Sequence, residues 1–180
     1  SYVIQRMEKM LAKHGKKIIG WDEILEGGLS PEATVMSWRG EAGGIASALQ
    51  DHDAIMTPGG NGMYLDTFQG DSKIEPVSIG GYTLLEKVYS YNPVPDTLVT
   101  LGKDKHIKGV QANLWTEYIP TFSQVEYMEL PRMAALADIQ WTNPEHKDYQ
   151  DFLQRLVRMV KIYDVYQYNY ACLLYTSDAA

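Results

Sequence analysis

Cysteine is nearly missing from this chain: Cys172 is the one example in 180 residues, which excludes a disulfide-stapled scaffold. The histidines are also few and scattered, at His14, His52, His106 and His146, with no pair at the spacing that holds a metal, so no metal site is expected. No apolar run reaches the roughly 20 residues that span a bilayer. Positive charge is short, with 16 Lys and Arg against 23 Asp and Glu and a formal charge of −7, a field that disfavours nucleic acid and anionic membranes as partners. A Gly-rich phosphate cradle is absent as well. Gly59-Gly60-Asn61-Gly62 matches neither G-x-G-x-x-G nor G-x-x-x-x-G-K and reads as a turn. With no G-x-S-x-G elbow, and Cys172 in a tail expected to be non-native, a nucleophilic triad is not expected either, nor is a cofactor. What remains, at 45% hydrophobic and 22% charged, is a globular chain with enough apolar side chains for a core and an open choice of neutral ligands.

The chain opens at Ser1 on a helical pattern, Val3, Ile4, Met7, Met10 and Leu11, without the basic and apolar regions of a signal peptide. Its last nine residues, 172–180, resemble the in-frame translation of a sequencing-library adapter. The expectation is a fold over 1–171 and a non-native tail over 172–180.

Four β-rich runs stand between helical patterns: Lys17–Gly20 ending at Trp21, Thr34–Ser37 ending at Trp38, Ala54–Thr57 closed by Pro58, and Lys108–Leu114 ending at Trp115. They are near-continuously apolar, which predicts strands of a parallel sheet buried on both faces. Helices are expected over Gly43–Leu49 and Leu84–Tyr89. Another should open at a Ser123/Glu126 capping box and restart at Pro131, and a last one should bury Phe152, Leu153, Leu156, Val160 and Tyr163. The alternation predicts an α/β architecture, and four strands in 180 residues fit about half of a (β/α)8 barrel, which takes roughly 250 residues.

The residues after each strand carry the chemistry. Trp21 precedes Asp22 and Glu23; Trp38 precedes Arg39 and Glu41; the third strand leads to Tyr64 and Asp66; Trp115 precedes Glu117. In a parallel barrel the ends of all strands collect at one mouth. Indole faces suit the C–H faces of a pyranose, and carboxylates accept from its hydroxyls, so the expected ligand is a sugar. Asp51-His52-Asp53, by contrast, precedes a strand and reads as a helix-to-strand turn. The tyrosines Tyr163, Tyr166, Tyr168 and Tyr170 read as packing of the last helix.

In order and spacing, "GWDEILEGGLSPEATVMSWRG", "MYLDTFQGD", "GVQANLWTEY" and "PRMAALADIQW" resemble the second half of the catalytic barrel of family 20 glycoside hydrolases, the β-N-acetylhexosaminidases. The resemblance implies a partial TIM (β/α)8 barrel, strands five to eight, truncated on its N-terminal side. It implies exo-hydrolysis of terminal GlcNAc or GalNAc with retention, assisted by the substrate's own 2-acetamido group. Trp21, Trp38 and Trp115 would wall the pocket for the N-acetyl methyl, Tyr64 would bond the acetamido oxygen, and Asp66 and Glu117 would hold the hydroxyls at positions 4 and 6. The family's adjacent Asp-Glu pair, Glu as general acid and Asp orienting the acetamide, follows a His-x-Gly-Gly stretch after the fourth strand and is expected upstream of Ser1. Asp22-Glu23 is the only Asp-Glu dipeptide here, but it follows the strand matched to the fifth, without that lead, and reads as structural. The family's substrate-gripping arginine is missing too, Arg39 being in the wrong place for it. The fragment is therefore expected to carry the substrate-binding half of the site without the acid–base half and to be inactive alone, and a non-catalytic carbohydrate-binding relative is the alternative. The resemblance also suggests a periplasmic or secreted protein.

Overall fold

The computed structural model describes residues 2–172. In chain order the elements are α1 (Tyr2–Ala12), β1 (Ile19–Trp21), β2 (Thr34–Ser37), α2 (Ala42–Leu49), β3 (Ala54–Met56), α3 (Leu85–Ser90), α4 (Asp96–Thr100), β4 (Ile107–Val110), α5 (Phe122–Glu129), α6 (Arg132–Trp141) and α7 (Tyr149–Tyr166), with short 3-10 turns between them. They divide into two compact units, one of residues 2–60 and 93–111, the other of 61–92 and 112–172. The expected tail at 172–180 lies, beyond Cys172, outside the described residues. No helix among the described residues is long and apolar enough to cross a membrane.

The first unit is built on one parallel sheet in the order β1-β2-β3-β4, each strand beside its predecessor, the singly wound order of a barrel wall. Trp21 stands opposite Met36, and Ser37 opposite Met56. Burial alternates along the strands, which corrects the expectation of two covered faces. Val35, Ser37, Ala54, Met56 and Val110 are buried, while Thr34, Met36 and Ile55 are half-buried. Helix α2 makes the difference, because it lies close on the first face through its glycines. A Cβ added at Gly44 would stand 2.4 Å from Met56 Sδ, and one at Gly43 would stand 2.7 Å from Asp22 Cβ. Ser37 locks the approach by donating to Gly40 O at 2.6 Å and accepting from the Gly44 N–H at 2.8 Å.

Asp51, His52 and Asp53 form the turn between α2 and β3, with Asp51 at φ 62. Lys103 pairs with Asp51 at 2.6 Å, and the His106 ring lies 3.2 Å from Asp51 and 3.4 Å from Asp53. At the other edge of the sheet β1 has no outer neighbour among the described residues. Beside it opens a cavity of about 680 Å³ lined by Ile4, Ile18, Trp21, Ile24 and Leu29. Helix α1 buries none of its residues, and Val3 is 66% exposed despite the helical spacing of its apolar side chains.

β4 is shorter than the run Lys108–Leu114 suggested. It ends at Val110, with Lys108 as an extra residue where the register against β3 shifts, and Asn113 pairs instead with Tyr64 in the second unit. That second unit packs α3, α5, α6 and α7 around Leu85, Val88, Met128, Leu136 and Phe152. Helix α5 is capped by Thr121, whose side chain accepts from the Gln124 N–H, and not by Ser123. Ser123 and Glu126 hold Asn169 instead: Asn169 Nδ2 donates to Ser123 Oγ at 3.0 Å, and its N–H to Glu126 at 3.1 Å. Pro131 separates α5 from α6, and α7 starts on Asp148, which accepts from the Gln150 and Asp151 N–H groups.

Candidate functional site

In the first unit, the ends of β1 and β2 are bound to each other by carboxylates. Asp22 follows Trp21 into a 3-10 turn and is buried. Its Oδ2 accepts the backbone N–H of Trp38 at 3.1 Å and of Arg39 at 3.2 Å, and its Oδ1 accepts from Arg39 Nε at 2.6 Å. Glu23 accepts the Trp38 indole N–H on both oxygens at 3.1 Å. That indole donor, then the residue's own backbone N–H, holds the Glu23 carboxyl below its ordinary range. A proton donor needs the opposite shift. Asp22 and Glu23 thus fix the turn and the ring of Trp38, and Arg39 is spent on Asp22 and on Glu26 at 3.4 Å.

In the second unit the pairing of Asn113 with the segment 63–65 sets the geometry. The Asn113 N–H donates to Met63 O and the Leu65 N–H to Asn113 O, both at 2.8 Å. Tyr64 and Trp115 then meet edge to face, with ring centroids 6.3 Å apart and planes at 72°. Tyr64 is half-buried, Trp115 is 40% exposed, and Glu117 is exposed. Asp66 is buried. Burial, followed by the charge of Glu117, raises its pKa, while the backbone N–H groups of Asp66 and Trp115 and the charge of Arg132 lower it. Its Oδ1 is buried and accepts no hydrogen bond among the described residues. Asp66 thus keeps a desolvated acceptor without a hydrogen-bond donor among the described residues, in the same unit as the Tyr64–Trp115 ring pair.

The model of glycosyl hydrolase family 20, catalytic domain, matches residues 1–144. The chain belongs to that family. It is 54% identical over 170 residues to a β-hexosaminidase of Porphyromonas gingivalis, covering 94% of this chain and 22% of that protein. It is 31% identical to a β-N-acetylhexosaminidase of Cellulomonas fimi, covering 83% of this chain and 30% of that one. Among solved structures, the family 20 exo-β-N-acetylglucosaminidase of Vibrio harveyi in complex with N-acetylglucosamine superposes with a TM-score of 0.81 at 32% identity, over 91% of this chain and 26% of that chain. The family 20 chain thus spans between about a fifth and a third of the length of these relatives. Its four sequential parallel strands are part of their (β/α)8 barrel.

Within this family 20 domain, Trp21 and Trp38 belong to the first unit, and Tyr64, Asp66, Trp115 and Glu117 to the second. The structure brings Tyr64, Asp66 and Trp115 together in the second unit, and ties Trp38 to Glu23 in the first. Sequence reasoning missed Arg132. It is fully buried, and burial pulls its pKa down to about 9, so it stays cationic at neutral pH. It also missed the loop anchors: Ser78 Oγ donates to Asp66 O at 2.8 Å, and Gln124 Nε2 donates to Val77 O at 2.9 Å and Tyr118 O at 3.0 Å.

Proposed function

We propose that this chain supplies the sugar-holding side of a retaining exo-β-N-acetylhexosaminidase. The observation that carries the reading is the buried oxygen of Asp66 that finds no donor among the described residues, on a carboxylate held by the backbone N–H of Trp115, the residue whose ring meets Tyr64. In this reading Asp66 and Glu117 accept from the hydroxyls at positions 4 and 6 of the terminal sugar, and the Trp115 indole packs on the N-acetyl methyl; Trp21 and Trp38, in the other unit, keep the role that the sequence resemblance gives them. The Tyr64 hydroxyl donates to the acetamide oxygen and aims it at the anomeric carbon.

The reaction then needs no enzyme nucleophile. The acetamide oxygen forms a bond to the anomeric carbon as the glycosidic C–O bond breaks, and the leaving oxygen takes a proton from a general acid. Water, giving a proton to the conjugate base of that acid, then attacks the anomeric carbon from the face the leaving group vacated and opens the oxazolinium ion, which restores the acetamide with net retention. Confinement of the acetamide makes the attack effectively intramolecular, and the Tyr64 hydroxyl meets charge as it develops on the amide. Glu23, bound to an indole and shifted toward its ionised form, is unsuited to donate the proton; the acid in this reading is the Glu of the Asp-Glu pair that the sequence resemblance expects upstream.

The test is hydrolysis of an aryl N-acetyl-β-glucosaminide by the complete protein. Tyr64→Phe should cost about 100-fold in turnover with little change in binding. Trp115→Ala should impair both, and the aryl glucoside without the acetamido group should not react. An active protein indifferent to both substitutions would remove the site. Binding of N-acetylglucosamine with no hydrolysis would favour the non-catalytic alternative.

A further inference from the structure

Asp66 sits in a stretch with little regular structure of its own. Around it, residues 65–69 belong to no helix or strand, and the neighbouring bridge between Tyr64 and Asn113 is isolated. Backbone groups buried in such a segment need partners that a sheet ladder would otherwise supply.

The carbonyls of Leu65 and Thr67 find theirs in Arg132 at the start of α6. Its NH2 group donates to Leu65 O and to Met128 O, both at 2.5 Å, its NH1 to Thr67 O at 3.2 Å, Thr67 Oγ1 at 3.3 Å and Thr83 O at 3.0 Å, and its Nε to Met128 O at 3.2 Å. Among the described residues, every hydrogen bond it makes goes to a carbonyl or a hydroxyl and none to a carboxylate. Burying a cation this way is expensive, and a stretch that needed only packing would be served by an apolar side chain of similar volume. A planar fork that grips several carbonyls at once is what arginine offers and lysine does not.

We infer that Arg132 is the positioning residue for Asp66, clamping the carbonyls of Leu65 and Thr67 on either side of it so that the carboxylate keeps its place and its charge for a sugar hydroxyl. The inference rests on the reading of Asp66 as a substrate-binding acid. The charged groups acting on Asp66 are Glu117, which opposes its ionisation, and Arg132, which favours it; Arg132 itself is faced by Glu75, Asp66 and Tyr127. Removing the cation should therefore push the Asp66 pKa further up.

The experiment compares R132M, R132K, D66A and the D66A/R132M double variant of the complete protein on an aryl N-acetyl-β-glucosaminide and on its 4,6-dideoxy analogue. R132M should raise KM for the first substrate by about tenfold, leave KM for the analogue within about twofold, and move the acidic limb of kcat/KM to higher pH. Added to D66A it should cost less than about twofold, because a residue acting through another is not additive with it. R132K keeps the charge but loses the fork. It should raise KM for the hydroxylated substrate alone while leaving the acidic limb where it was. Equal losses on both substrates, or a full additional loss in the D66A background, would reduce Arg132 to a structural role and overturn the inference. If R132M does not fold, the substrate split of R132K decides. A D66A enzyme with unchanged KM would instead overturn the reading of Asp66, and the clamp with it.

Discussion

Replacing Asp66 by asparagine should make the ligand-free protein more stable and its sugar complex weaker. The side chain is buried, one of its oxygens accepts nothing among the described residues, and Glu117 opposes its ionisation. Asparagine keeps a carbonyl for the backbone donors, removes a desolvated charge and can offer Glu117 an N–H in place of a negative charge. An unmet buried acceptor costs ~1–3 kcal/mol. Since Arg132 already offsets part of this, a gain of about 1 kcal/mol is expected in the complete protein, read as a higher melting temperature.

The sign with pH follows from linkage. The Asp66 pKa is raised in the folded state, so protonation favours the fold. The penalty is present above the folded pKa, shrinks as pH falls through it, and is gone below the ordinary aspartate value. Thermal melts of both proteins from pH 7 down to about 4 should converge as the wild type gains on the variant. Saturating N-acetylglucosamine should reverse the order at neutral pH, because the wild type keeps a charge-assisted hydrogen bond worth ~1.5–3 kcal/mol, about ten- to a hundredfold in affinity. A variant that melts below the wild type at pH 7 without ligand, or a difference indifferent to pH, would refute the reasoning.

Other perturbations separate support from binding. Asp22→Ala strips the acceptor from the Trp38 and Arg39 N–H groups and should cost ~2–4 kcal/mol of stability by denaturant titration; Arg39, half in water, adds little to that loss. Glu23→Gln should leave stability near wild type while loosening the Trp38 ring, seen as a fall in kcat/KM and a changed indole fluorescence. Expressed alone, residues 1–180 should aggregate and hydrolyse nothing, because the outer edge of β1 and the apolar side of α1 are uncovered. A soluble monomer with a cooperative melt would contradict that.

The strand runs at 19, 34 and 54 were legible because apolar, β-rich stretches end there on a tryptophan or a proline. The fourth was overread because its pattern continues through Leu114, although Asn113 has changed partner to Tyr64; a run of residues does not say which neighbour it pairs with. Ser123 with Glu126 reads as the cap of α5, but the helix starts two residues earlier, where the extended backbone at Thr121 lets its side chain accept from the Gln124 N–H. Tyr64, Asp66 and Trp115 stood out because polar and aromatic groups follow strand ends. Arg132 did not, since a lone arginine at a helix start normally faces water. Its spacing of four from Met128 and from Leu136, both buried, was the available signal.

The tight seating of α2 at Gly43 reaches further than packing. A methyl group there would press on Asp22 and Ser37, and Asp22 holds the backbone of Trp38. Position 43 touches no sugar in the proposed site, yet an alanine in it would tilt an aromatic wall two contacts away. Drift at so plain a residue would be felt as lost affinity before it was felt as lost fold.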